Sequence, residues 1–311
     1  MLKQLELLMD NLNSAIVGKK DVIEEVIIAL ISNGHLLIED VPGVGKTTLA
    51  KALAKSIDLT YKRVQFTPDL TPSDLTGISV YDKDSGGFIF KKGPIFCNIF
   101  LADEINRTSP KTQSSLLQAM EEFEITTENE HFLLDKPFLV LATQNPIEYQ
   151  GTFPLPEAQL DRFFMKISIG YPSKDDEKKI LKNYLELKNL DHIKPVLTKS
   201  ELLSISKEVE EIIVHDEILE YILDIVNLTR NYKSIALGAS PRASIDILKA
   251  SKSMAYLSNR DYVIHDDVKK IINPVLRHRL VLSAEARLEK RNIDEVIDEI
   301  IKKLYIGGVY A

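Results

Sequence analysis

The stretch LLIEDVPGVGKTTLAKALAK, beginning at Leu36, constrains this chain more than any other. A compact apolar run, HLLIE, meets a glycine-containing turn, and an Ala/Leu-rich segment follows directly. That order predicts a strand, a phosphate-binding loop and a helix. In the pattern G-x-x-x-x-G-K-[ST], glycines let backbone N–H groups wrap phosphates, and the helix N-terminus adds partial positive charge. Gly43, Gly45, Lys46 and Thr47 satisfy the pattern. Lys46 is placed to reach the β- and γ-phosphates, and the Thr47 hydroxyl to ligate Mg²⁺. With Pro42, Val44 and Thr48 they form the candidate nucleotide-binding loop. One piece departs: Asp40 stands where the first glycine belongs. An anion beside phosphates costs energy, so the reading requires its carboxylate to point away. Aspartate tolerates unusual backbone geometry better than most residues.

The rest of the chain divides in two. Its 311 residues are enough for two domains. Up to about Tyr171, short apolar runs alternate with helical patterns: YKRVQF, NIFLADE, the helix SPKTQSSLLQAMEEF, PFLVLAT and FFMKISI. Apolar strands separated by helices imply a largely parallel sheet covered on both faces. From Ser173 onward the periodicity is helical, with almost no strand signal. Gly170, Pro172 and Ser173 mark the boundary, giving an αβα core over 1–171 and a helical domain over 172–311. Pro274 should kink or end the helix it sits in. Two segments interrupt the first half, GISVYDKDSGGFIFKKG and FEITTENEHFLLDKP, and each reads as a hairpin that the sheet does not need.

Further chemistry follows the loop. NIFLADE is an apolar strand ending in Asp103 and Glu104. After a phosphate-binding loop, such a pair reads as a metal-holding carboxylate and a base that polarises the attacking water. Alone, two acids at a strand end are ordinary solvated residues. Asn145, after the strand PFLVLAT, can orient that water, or can be a turn residue before Pro146. Arg162 precedes an apolar strand, and Arg242 opens a helix, where the macrodipole disfavours a cation. A surface salt bridge is the default for either; a phosphate partner would explain both placements.

Taken together, the loop, LADE, ATQNP, LPEAQLDRF and GASPRA, in this order, resemble AAA+ ATPases, specifically the MoxR family. AIVGKKDVIEEVIIALISNGHLLIEDVPGVGKT and ADEINRTSPKTQSSLLQAMEE are similar to that family's opening and its second acidic motif with the helix after it. The resemblance implies an α/β AAA+ P-loop core with a parallel five-stranded sheet and two hairpin inserts, followed by a small all-helical lid. It implies ATP and Mg²⁺ as cofactors, with Asp103 and Thr47 on the metal and Val17 and Gly18 at the adenine. It assigns Glu104 and Asn145 to hydrolysis, Arg242 to the nucleotide from the lid of the same subunit, and Arg162 to a neighbour's ATP. Arg107 is a second candidate for a contact between subunits. It further implies a homo-oligomer, a hexameric ring, that remodels partner proteins in a chaperone-like way, often with partners carrying von Willebrand factor type A domains.

Composition narrows the alternatives. A formal net charge of -7 argues against a dedicated nucleic-acid binder. A nucleic-acid remodelling motor and an ATP-gated scaffold with little hydrolysis are the competing readings. The absence of a basic hairpin weighs against the first, and the intact hydrolytic set against the second. Cys97 lies in an apolar strand and reads as a core thiol. The six histidines show no metal-ligand spacing. No apolar run approaches the ~20 residues of a membrane span, so a cytoplasmic protein is expected. Tyr81, Phe88 and Phe90 either pack their hairpin or touch a substrate. LRHRLVLSAEARLEKR reads as a solvated basic face, or as a contact to nucleotide or neighbour.

Overall fold

The protein is described here by a computed structural model, which covers residues 2–84, 86–126, 130–146, 151–185 and 190–306. The tip of the second expected hairpin and the C-terminal stretch beyond Ile306 lie outside these residues. Two helices, α1 (Leu2–Ala15) and α2 (Lys20–Ile31), precede the first strand, β1 (Leu36–Glu39). There follow α3 (Lys46–Ile57), β2 (Tyr61–Gln65), α4 (Pro72–Thr76), β3 (Gly77–Asp82), β4 (Gly87–Lys92), β5 (Ile99–Asp103), α5 (Pro110–Glu122), β6 (Glu124–Thr126), β7 (His131–Leu133), β8 (Leu139–Gln144), α6 (Glu157–Leu160) and β9 (Met165–Ile167). The second half holds α7 (Lys174–Leu185), α8 (Lys199–Glu210), α9 (Asp216–Asn231), β10 (Ile235–Leu237), α10 (Pro241–Leu257), α11 (His265–Leu276), β11 (Val281–Leu282), α12 (Ala284–Leu288) and α13 (Ile293–Ile306).

The main sheet has the order β2-β5-β8-β1-β9, and every pairing in it is parallel. β1, β5 and β8 are buried along almost their whole length, whereas the edge strand β2 is half exposed. Side chains alternate between faces, as a pleated strand requires. Leu36, Ile38, Ile99, Leu101, Leu139 and Leu141 join one apolar cluster with α1, α2 and α3. Leu37, Phe100, Ala102, Val140 and Ala142 join another, with Leu116, Leu117 and Met120 of α5. The first cluster continues without a break into the second half, through Leu202, Ile222, Ile247, Ile272 and Ile297. Helices of the two halves therefore share one core.

β3 and β4 form an antiparallel hairpin in which Tyr81 faces Phe88, and β6 pairs antiparallel with β7. The two hairpins touch: Phe90 stacks on Phe132 with ring centres 4.3 Å apart. Pro274 lies in the last turn of α11, which ends two residues later. The helical half also carries a short antiparallel ribbon, β10 with β11, that its sequence did not announce. Cys97 is buried and free, with its thiol pKa pushed up to about 12 by burial.

Candidate active site

The loop after β1 turns over the C-terminal ends of the parallel strands. Gly43 and Gly45 take φ values of 87° and 99°, the left-handed region that favours glycine. Apart from Gly43 and its two chain neighbours, no atom lies within 4 Å of where a Cβ on Gly43 would sit, so its backbone faces open space. Lys46 Nζ donates to the Asp40 carbonyl at 2.9 Å, and burial lowers its pKa below the ordinary lysine value. A partly desolvated ammonium of this kind gains from an anionic partner.

The Asp40 carboxylate turns away from the loop. It is 6% exposed and accepts hydrogen bonds from Ser168 Oγ at 3.0 Å, from the Ile169 amide and from the Gly170 amide at 3.1 Å. Its charge is thus spent on the segment leaving β9.

Asp103 ends β5. Its Oδ1 accepts from Thr143 Oγ1 at 2.7 Å, and its Oδ2 from Arg63 Nη2 at 2.6 Å. Glu104 has φ 59°, a left-handed geometry costly for a residue with a Cβ. Its amide donates to Thr143 Oγ1 at 2.8 Å. Its carboxylate accepts from Gln65 Nε2 at 2.7 Å and Arg107 Nη1 at 2.9 Å. Thr143 therefore ties the two acids to the neighbouring strand. Arg63, Gln65 and Thr143 escaped the sequence reading. The available signal was alternation: positions 63 and 65 share one face of an edge strand in register with Leu101 and Asp103.

Two adjoining clefts meet at the loop. One, of about 360 Å³, is lined by Pro42, Gly43, Gly45, Lys46, Thr47 and Thr48, and by Arg63, Gln65, Asp103, Glu104 and Asn145. The other, of about 460 Å³ and more apolar, is lined by Val17, Val44, Thr48, Ile169, Pro172 and Tyr184 among others. A polar cleft at a helix N-terminus beside an apolar one suits a phosphate chain joined to an aromatic base. Gly18 lines neither: at φ 79° it packs so closely on Asp176 that a Cβ would sit 2.2 Å from the carboxylate. Thr47 and Asp103 offer hard oxygen donors in one cleft. Mg²⁺ takes few protein ligands and completes its shell with water and phosphate. Among the described residues no group of three or more His, Cys, Asp or Glu side chains forms a metal cage.

The two arginines lie elsewhere: Arg242, expected at the nucleotide of its own chain, is found away from the cleft at the loop. Arg162 Nη1 is 3.4 Å from Glu121 Oε2, and Arg242 pairs with Oε1 of the same carboxylate. Both line a separate small cleft with Lys249 and His35. The Phe164 amide donates to the His35 carbonyl, before β9 and β1 begin, whereas Asp40 follows the end of β1. At about 3.3 Å per residue, the finger segment and the loop are thus separated by roughly 15 Å of sheet. Arg107, the other arginine singled out, pairs with Glu104 of its own chain.

What holds the second half at this far end is part of LRHRL, which is not a solvated face. His278 and Arg279 are buried; His278 Nε2 and Arg279 Nη2 lie 2.9 and 2.7 Å from the Phe163 carbonyl. The helix end points these side chains inward, where core carbonyls and two carboxylates answer the Arg279 guanidinium, while His278 Nδ1 is buried with no hydrogen-bond partner. Burial, with the Arg279 charge beside it, holds the His278 pKa well below its ordinary value.

Comparison with known proteins adds to this geometry. Residues 35–165 match the ATPase family associated with various cellular activities (AAA), and residues 227–300 match the AAA lid domain. The chain is 47% identical over 297 residues to the protein YeaC of Bacillus subtilis, covering 96% of this chain and 93% of that one. It is 40% identical over 305 residues to the chaperone MoxR1 of Mycobacterium tuberculosis, covering 95% and 80%. A crystal structure of a candidate ATPase from Cytophaga hutchinsonii superposes with a TM-score of 0.90 at 39% identity, covering 97% of this chain and 94% of that one.

Proposed function

The chain belongs to the MoxR family of AAA+ ATPases, and from that premise we propose that it hydrolyses ATP with Mg²⁺ at sites shared between the subunits of a ring, and so remodels partner proteins. The AAA+ fold, the ATPase activity and the chaperone-like character belong to the family. The ring, the metal and the residue roles are the reading argued below.

The observation that carries it is a division of labour. Lys46, Thr47, Asp103, Glu104 and Asn145 line one cleft, while Arg162 and Arg242 lie together at the other end of the same strands. In this reading residues 1–171 are the nucleotide core and 172–311 the lid. Loop amides and Lys46 hold the phosphates, and the apolar cleft with Val17 and Val44 takes the adenine. Thr47 and Asp103 would hold the metal, which would supply positive charge against that of the phosphates. Glu104, released from Gln65 and Arg107, draws the proton of the attacking water, and Asn145 orients that water. Arg162 and Arg242 then serve the adjacent subunit's γ-phosphate as a pair, Glu121 holding both until a phosphate replaces it. An arginine of this kind is worth about 10³-fold or more in rate.

Remodelling follows from sharing. Hydrolysis requires two subunits in register, so each turnover changes an interface. The first hairpin presents Phe88, 75% exposed, in an edge-to-face pair with Tyr81, a surface suited to an unfolded or partly folded protein. A partner carrying a von Willebrand factor type A domain and a cytoplasmic location complete the reading. No described helix is long and apolar enough to cross a membrane.

The test is ATPase rate per subunit against protein concentration, with Mg²⁺, for the wild type and Arg162→Ala. The reading expects specific activity to rise with concentration, and the variant to bind ATP yet stay at least about 10³-fold slower. Activity independent of concentration and unaffected by the substitution would end it.

A further inference from the structure

Arg279 is the most heavily engaged buried cation in the described structure, and its side chain is 1% exposed. Burying a guanidinium is costly unless its donors and its charge are all answered. Here they are. Nε donates to Asp161 Oδ1 at 2.9 Å, Nη1 to the Val275 carbonyl at 2.9 Å, and Nη2 to the Phe163 carbonyl at 2.7 Å and Asp246 Oδ2 at 2.5 Å. The Asp161 and Phe164 carbonyls lie at 3.2 and 3.4 Å.

The partners are not a random set. Asp161 and Phe163 flank Arg162 on either side. Asp246 stands one helical turn after Arg242 on α10, on the same face. Asp161 also accepts from Ser240 Oγ at 2.9 Å, and Ser240 caps the N-terminus of α10, two residues before Arg242. One guanidinium therefore fixes both flanks of one arginine and, through Asp246 and Asp161, both flanks of the other. The two arginines come from segments about 80 residues apart with no strand pairing between them. Their convergence on Glu121 depends on how α10 docks against the segment before β9.

We propose that Arg279 is the positioning residue that sets Arg162 and Arg242 side by side, so that the two act on a neighbouring subunit as one unit. The inference rests on the shared-site reading given above. Arg279 touches no nucleotide; it acts through the two segments it joins. A lysine cannot replace it, because three donors on one point charge cannot reach two carboxylates and the carbonyls in a planar fork. Arginine's fork also joins lid to core rigidly, so α10 and the finger segment move together.

The experiment is subunit mixing, with Arg279→Lys as the main variant because it keeps the charge that neutralises Asp161 and Asp246. Alone, this variant should bind a fluorescent ATP analogue within twofold of wild type and keep its KM, while kcat falls tenfold or more. Lys46→Ala, which lacks a working loop, should be inactive alone. Mixed in equal parts, the two should recover about a quarter of wild-type activity, since an intact loop then meets an intact arginine pair at about one interface in four. Arg162→Ala mixed with Lys46→Ala is the companion measurement. Recovery there with none for Arg279→Lys overturns the proposal for Arg279 alone. Silence in both mixtures overturns the shared-site reading, and this inference with it. An unchanged kcat for Arg279→Lys also overturns it. If Arg279→Lys does not fold, Asp246→Asn, which removes one charge and keeps the shape, is read by the same outcomes.

Discussion

The Gly170 amide donates a hydrogen bond of 3.1 Å to the carboxylate of Asp40, joining the nucleotide loop to the segment that leaves the sheet. Asp40 is therefore a structural anchor in a position where the usual motif has glycine. Restoring the motif with Asp40→Gly would remove three hydrogen bonds to a buried charge and add backbone freedom at the end of β1. The expected loss is about 2–4 kcal/mol, with ATP-analogue affinity unchanged or weaker, because Ile169 and Gly170 line the apolar cleft. Denaturant unfolding and analogue titration check this. A variant of equal stability that binds more tightly would show that the carboxylate burdens the loop.

Arg63 occupies one carboxylate oxygen of Asp103, the residue proposed to hold the metal. Its side chain is 46% exposed, so the pair is worth no more than about 1 kcal/mol. That corresponds to about fivefold in an equilibrium constant. Arg63→Ala should therefore lower the Mg²⁺ concentration for half-maximal ATPase activity by up to about fivefold, with stability within about 0.5 kcal/mol of wild type. A rise in that concentration would show that Arg63 assists the bound state instead of competing with the metal.

How much of this was legible in the sequence depends on the range of the interactions. β1, β5 and β8 were readable because their apolar runs and flanking helices are local signals, and the glycine loop announces its own geometry. The orientation of Asp40 was not, because its partners lie 128 to 130 positions away. The pairing of Arg242 with Glu121 was not legible for the same reason: its partner lies 121 positions away. LRHRL looked solvated because charge normally means exposure, and only the tertiary fold brings Asp161 and Asp246 within reach. The strand β10 is three residues long, too short to show a period.

The stack of Phe90 on Phe132 makes the two hairpins one mechanical unit, with Phe96 packed edge-on against both rings. An aromatic pair contributes about 0.5–1.5 kcal/mol beyond burial. Phe132→Ala should thus loosen β3 and β4 as well as its own strand. Hydrogen exchange over residues 77–92 should speed up roughly tenfold, while β5 and β8 exchange as in wild type. Unchanged exchange in the first hairpin would mean that the rings touch without support.

Glu25, on α2, gives a stability prediction with a definite sign. Burial pushes its carboxyl from the ordinary 4.5 up to about 7. The positive charge of Arg277 opposes this shift, while Asp21, Glu24 and Asp294 reinforce it. The folded protein therefore holds this proton over a range where the unfolded chain has lost it. Below pH 4.5 both states are protonated and the side chain imposes no penalty. As pH rises from 4.5 through 7 the folded state must either keep a costly proton or bury a charge, and stability falls. At about 1.4 kcal/mol per tenfold in proton affinity, reduced by partial exposure to water, the full loss is about 2 kcal/mol. Glu25→Gln carries no such titration. It should melt above wild type at pH 8.5, by a smaller margin at pH 6, and converge towards it near pH 4.5. Thermal unfolding across that range decides it. A margin that is constant with pH would place the effect in packing, and a variant less stable at pH 8.5 would mean that the attraction of the Arg277 charge outweighs the burial of the carboxylate.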